Sequence, residues 1–90
     1  MGNTYKYKTL PLAKLHELFY LDGDVLHYRS TGKEVKAATS QGYVVAYVKR
    51  EARLAHRLVW ALHHGDWPHG HIDHINGNKK DNRPSNLRVA

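Results

Sequence analysis

Ile72-Asp73-His74-Ile75-Asn76-Gly77-Asn78-Lys79-Lys80-Asp81-Asn82-Arg83-Pro84-Ser85-Asn86-Leu87-Arg88 is the stretch on which the fold of this chain turns. His71 to Ile75 reads as a short strand and Asn76-Gly77-Asn78 as a turn, because Asn and Gly tolerate positive φ. Leu87 to Ala90 reads as the returning strand, and the polar residues from Gly77 to Asn86 form a loop within the hairpin. Adjacent Asp and His on a strand point to opposite faces, so Asp73 and His74 serve one site only at a strand end or twist. Asp is a hard oxygen ligand suited to Mg²⁺ or Mn²⁺, and a neutral imidazole is a base near physiological pH. These are the parts for metal-assisted phosphodiester hydrolysis, which needs a deprotonated water and positive charge at the crowded transition state. His74 would supply the first and a cation on Asp73 the second. A base works only if the nitrogen that takes the proton faces the water, so another group must hold its second nitrogen or the loop around it. Asn86, just before the returning strand, is the first choice for that task and Asn82 the second.

Upstream, apolar groups at Leu12, Leu15, Leu18 and Phe19 have the spacing of one helical face, predicting a short helix over Leu10–Phe19. Asp22-Gly23-Asp24 is a turn between strands at Phe19–Leu21 and Val25–Tyr28, and Thr31-Gly32-Lys33 is another turn. Gly42 to Val48 is β-branched and aromatic; a shorter strand near Arg53-Leu54-Ala55 follows the charged turn Lys49-Arg50-Glu51. His56 to His64 shifts to helical period and stops at Gly65, a candidate C-cap. The expected fold is α+β, a small antiparallel sheet with short helices. It forms one compact domain, with 1–41 the N-terminal helix and hairpin region and 42–90 the region that carries the chemistry.

Ninety residues, 41% of them hydrophobic, with two Trp, six Tyr and one Phe, build one modest core. The absence of cysteine removes disulfides and thiolate zinc sites. No apolar run approaches the roughly 20 residues of a membrane span, and MGNTYKYKTL lacks the apolar stretch of a signal peptide. The expectation is therefore a cytoplasmic protein without a membrane partner. Fourteen Lys plus Arg against eight Asp plus Glu give a net charge of +6, which attracts polyanions and makes nucleic acid the leading partner class. Lys79, Lys80, Arg83 and Arg88 cluster around the proposed site and are expected to contact the nucleic-acid backbone, a footprint that Lys49, Arg50 and Arg53 on the preceding hairpin would extend. His63, His64, His69 and His71 lack the spacing of a helical zinc pair and are read as solvent-facing. His56 is read as a partly buried ring bonded to backbone, and Trp60, Trp67, Tyr43 and Tyr47 as core.

The string from Asp73 to Arg88 is very similar to the HNH motif of phage and intron-encoded endonucleases. His56-Arg57-Leu58-Val59-Trp60 with Gly65-Asp66-Trp67-Pro68 resembles the helix that precedes that motif, so the likeness runs from Gly42 to Arg88. The helix, turns and strands before it resemble the variable region that such phage proteins carry ahead of their HNH block. The resemblance implies a ββα-metal fold with one divalent cation, Asp73 as metal ligand, His74 as general base and Asn86 as the Asn that orients it. It also implies double-stranded DNA as substrate and a phage or prophage setting in a bacterial cell, with a homodimer left open. In that family a last His or Asn lies on a helix after the second strand. The expectation is that this chain, ending at Ala90, carries a truncated motif. The alternatives are a non-catalytic DNA-binding remnant of such a nuclease, and a structural or assembly protein that kept its fold.

Overall fold

The computed structural model describes residues 10–90; all but the last residue of MGNTYKYKTL, read as lacking a signal peptide's apolar stretch, lies outside them. The α+β class is borne out, with the antiparallel pairing divided among three separate two-stranded ribbons. Helix α1 spans Leu12–Leu18, within the expected Leu10–Phe19, because Pro11 is its non-helical N-cap and Phe19 already has extended φ and ψ. Strand β1 (Phe19–Asp22) pairs with β2 (Val25–Tyr28) in the register Phe19↔Tyr28 and Leu21↔Leu26. Gly23 makes the turn at φ 62°. Arg29 ties this hairpin to α1 through Nε–H donation to the His16 carbonyl at 2.8 Å.

Strand β3 (Val45–Val48) pairs with β4 (Glu51–Leu54), so the turn is Lys49-Arg50 alone and the predicted turn residue Glu51 is already in the strand, opposite Val48. Both turn residues have positive φ, 49° and 70°. A two-residue loop must adopt that mirror-image turn to match the right-handed twist of its strands. Without glycine it costs on the order of 1 kcal/mol per residue. The Tyr47 amide donates to Tyr28 Oη at 3.1 Å, which joins the first ribbon to the second.

Helix α2 (Ala55–His64) follows β4 without a linker and ends at Gly65 with φ 78°, the left-handed cap expected of it. It packs against α1, β1, β4 and the turn before the last strand. Leu58 and Val59 are enclosed with Leu15 and Phe19. The core they start extends from Leu26, Val35 and Val44 to Leu87, with Trp60, Trp67 and Ile72 packed on its edge. Strand β5 (Ile72–His74) pairs with β6 (Leu87–Val89), and a 3₁₀ turn at Pro84–Asn86 precedes β6. No helix among the described residues is long and apolar enough to cross a membrane. Leu58→Ala should cost about 2–5 kcal/mol by loss of packing and the cavity left behind. Urea unfolding at neutral pH checks this.

Candidate functional site

The loop between β5 and β6 is built from short side chains that satisfy its own backbone. Asn76 Oδ1 accepts from the Asn78 amide at 2.8 Å, Asn78 Oδ1 from the Lys80 amide at 3.0 Å, and Asp81 Oδ1 from the Arg83 amide at 3.4 Å. Each is a side chain capping the backbone two residues on, the local pattern these residue types favour. Asn86, buried at 6% exposure, crosses the loop. Its Nδ2 donates to the Asp81 carbonyl at 2.8 Å and to Asn76 Oδ1 at 3.0 Å, and its Oδ1 accepts from the Asn76 amide at 3.1 Å. The Ile75 amide donates to the Asn86 carbonyl at 2.8 Å. Arg83 grips the Asp81 carboxylate through two bonds of 2.8 Å. That guanidinium, aided by Asn76, holds the Asp81 carboxyl well below the usual carboxylate range.

His74, the last residue of β5, is buried at 7% exposure. Its Nε2 lies 2.6 Å from Asn82 Oδ1. A carbonyl oxygen accepts, so Nε2 carries the proton and Nδ1 keeps its lone pair. His56, the second residue of α2, meets His74 edge-on with ring centroids 5.0 Å apart. Tyr43 completes the aromatic wall at 5.8 Å from His56 and 6.4 Å from His74. His56 departs from expectation: it is buried rather than partly buried, and its Nδ1 is sealed from solvent with no hydrogen-bond partner, backbone or other. Burial, with the positive charge of protonated His74 and of Arg57 adding to it, pushes His56 down to about 4. His74 Nδ1, by contrast, is not sealed off.

The structure therefore brings His74, Asn82 and Asn86 together, and divides the work of the two asparagines. Asn82 touches the ring, while Asn86, the first choice from sequence, holds the loop. Asp73 is not beside them. Its Oδ2 accepts from Arg88 Nε at 3.1 Å and Nη2 at 3.0 Å, across the register pair Asp73↔Arg88. No group of three or more His, Cys, Asp or Glu that could hold a metal exists among the described residues. Of the basic residues, Lys79 donates to the Gln41 carbonyl at 3.1 Å and sits 4.6 Å over the Tyr43 ring. Arg53 pairs with Glu51 at 3.2 Å, and Lys49 and Arg50 stand at the tip of the β3–β4 ribbon. Tyr47, expected in the core, is 54% exposed, because only Ala52 lies opposite it. His63, His64, His69 and His71 are exposed, as expected.

Residues 53–90 match the family described as HNH endonuclease. Over this segment the chain is similar to HNH endonucleases. The matched segment begins in β4 and takes in α2 and the whole β5–β6 hairpin, so His56, Asp73, His74, Asn82 and Asn86 all lie within it. Tyr43, Lys49 and Arg50 lie before it. No curated protein and no solved structure matches the chain. Reading residues along the chain missed His56 and Tyr43, since neither neighbours the HNH loop in sequence. Asp81 carried a readable signal, an acidic residue two positions before an Arg.

Two outcomes follow from the geometry. Asn86→Ala leaves the Asn76 amide and the Asp81 carbonyl without their shared partner and should lower stability by about 1–3 kcal/mol. Asn82→Ala leaves the buried Nε2–H of His74 without its acceptor, so it should also cost about 1–3 kcal/mol, and unlike Asn86→Ala it should alter the His74 tautomer, seen in ring ¹⁵N shifts. For His56 the unfolded chain takes up the proton first, near its ordinary value of 6.5. Stability is therefore full above pH 6.5 and falls as pH drops through about 4. Between pH 7.5 and 4.5 the wild type should lose about 2–3 kcal/mol more than His56→Phe in denaturant titrations.

Proposed function

We propose that this chain is a metal-dependent DNA endonuclease in which His74 is the general base that activates water. The observation that carries this reading is the buried His74–Asn82 bond at 2.6 Å, which leaves Nδ1 as the proton acceptor inside a loop locked by Asn86. Nδ1 takes the proton of the attacking water. Asn82 Oδ1, accepting from Nε2–H, then stabilises the imidazolium so formed and fixes the ring's direction. Asn86 acts one step further out, as a positioning residue. The match to the HNH endonuclease family supports nuclease chemistry and DNA as substrate.

Nucleases of this family generally use a divalent metal, and Mg²⁺, with Mn²⁺ as substitute, is our assignment with Asp73 as its ligand. A lone, half-exposed carboxylate fits an ion that is held by one or two carboxylates plus substrate phosphates and keeps several waters. When bound, such an ion supplies positive charge to the phosphate at the transition state. Arg88 must leave Asp73 for that to happen, and an exposed pair of this kind is weak enough to exchange. Lys79, Lys80, Arg83 and Arg88 line the approach and, with Lys49, Arg50 and Arg53, would neutralise DNA phosphates. A phage or prophage origin belongs to the same reading, as does action in the cytoplasm on double-stranded DNA.

A second reading, a non-catalytic DNA-binding module, is favoured by the Asp73–Arg88 pair, which occupies the carboxylate needed for metal. Nicking of supercoiled plasmid separates the two. Wild type with Mg²⁺ or Mn²⁺ should nick, chelator should stop it, and His74→Ala should slow it by roughly 10²–10⁴-fold. An inert wild type that still retards DNA on a gel selects the second reading.

A further inference from the structure

All six arginines of the chain lie among the described residues, and five are engaged by acceptors of the chain itself. Arg29 donates to the His16 carbonyl, Arg53 to Glu51, Arg57 to the Gly70 carbonyl, Arg83 to Asp81 and Arg88 to Asp73. Arg50 has no hydrogen bond or ion pair with any described residue, and neither has its neighbour Lys49. These two form the tip of the β3–β4 ribbon, both in the left-handed region. Asn-Gly would take that turn with little strain. Here the two positions carry long cations that make no hydrogen bond or ion pair with any described residue. Backbone strain kept without a structural return is a mark of function. Tyr47, two residues before Lys49 on β3, is 54% exposed.

We propose that the β3–β4 ribbon is a DNA-docking finger that enters the major groove of the duplex, with Lys49 and Arg50 on backbone phosphates and Tyr47 along the groove wall. A two-stranded ribbon fits the major groove, and paired cations at its end match the charge of the phosphates that rim it. The ribbon is rigidly joined to the site, since β4 runs directly into α2 and the second residue of α2 meets His74. From Leu54 to the Lys49-Arg50 turn the ribbon reaches about 13 Å at roughly 3.3 Å per residue. DNA as the ligand is taken from the proposed function; the contact does not require His74 to be the cutting centre.

The test is equilibrium binding of a short fluorescent duplex by the full chain, in chelator, over a salt series, with thermal melts of each protein. The variants are Lys49→Asn with Arg50→Gly, and Lys49→Gln with Arg50→Gln. The Asn-Gly variant should melt roughly 5–10 °C higher because strain is relieved. It should nevertheless bind at least about tenfold more weakly, with a log–log salt slope shallower by about 2. The Gln-Gln variant should lose the same affinity without the gain in melting temperature. An Asn-Gly variant that binds like wild type overturns the finger, and the nuclease reading then stands or falls on His74→Ala nicking alone. A wild type with no affinity for the duplex overturns both.

Discussion

A polar loop at the edge of a small core has to find partners for its amides, because a buried unpaired N–H or C=O costs as much as a lost hydrogen bond. In this protein the demand is met by local caps from Asn76, Asn78 and Asp81 and, across the loop, by Asn86. Its amide group reaches Asn76 on one side of the loop and the Asp81 carbonyl on the other, using three of the four bonds an asparagine side chain can form. Asn76 and Asp81 are themselves joined at 2.9 Å, so the loop closes on itself. Only with the loop fixed in this way does Asn82 arrive within reach of His74 Nε2. The direction of the imidazole therefore depends on a hydrogen-bond network to which the imidazole contributes one bond.

Helix α2 supplies the other boundary. Its first turn is buried across His56, Arg57 and Leu58, an arrangement that a helix tolerates only where polar groups are met or neutral. Arg57 meets the Gly70 carbonyl at 2.8 Å. His56 is kept neutral by burial, so it can sit against His74 without placing a second cation there. The same helix anchors the hydrophobic core through Leu58, Val59 and Ala61, which makes the position of the site and the stability of the domain two outcomes of one packing arrangement. Lys79, reaching to Gln41 and across Tyr43, joins the loop to residues that precede the family segment.

Most elements were readable along the chain, because helix and strand periods and Gly or Asn turns are local properties. Leu12, Leu15 and Leu18 announced α1, Gly65 announced the end of α2, and Asn76-Gly77 the turn after β5. What departed were boundaries and partners. Phe19 left the helix for a strand because its ring pairs with Tyr28 across the hairpin. Tyr47 left the core because only Ala52 faces it, and that is decided by register.

For the site, the sequence by itself determined the chemistry available: an acid next to a base, asparagines at loop spacing, a basic surround and the likeness to an HNH motif. Tertiary structure decided how those groups are shared. It turned Asp73 to Arg88 and His74 inward, since consecutive strand residues face opposite ways. It gave the ring contact to Asn82 and the loop to Asn86, and it brought His56 and Tyr43 against His74 from distant parts of the chain. Residue types fix what a side chain can donate or accept; only the packed chain fixes which partner lies within 3 Å of it, because that distance depends on elements far apart in sequence.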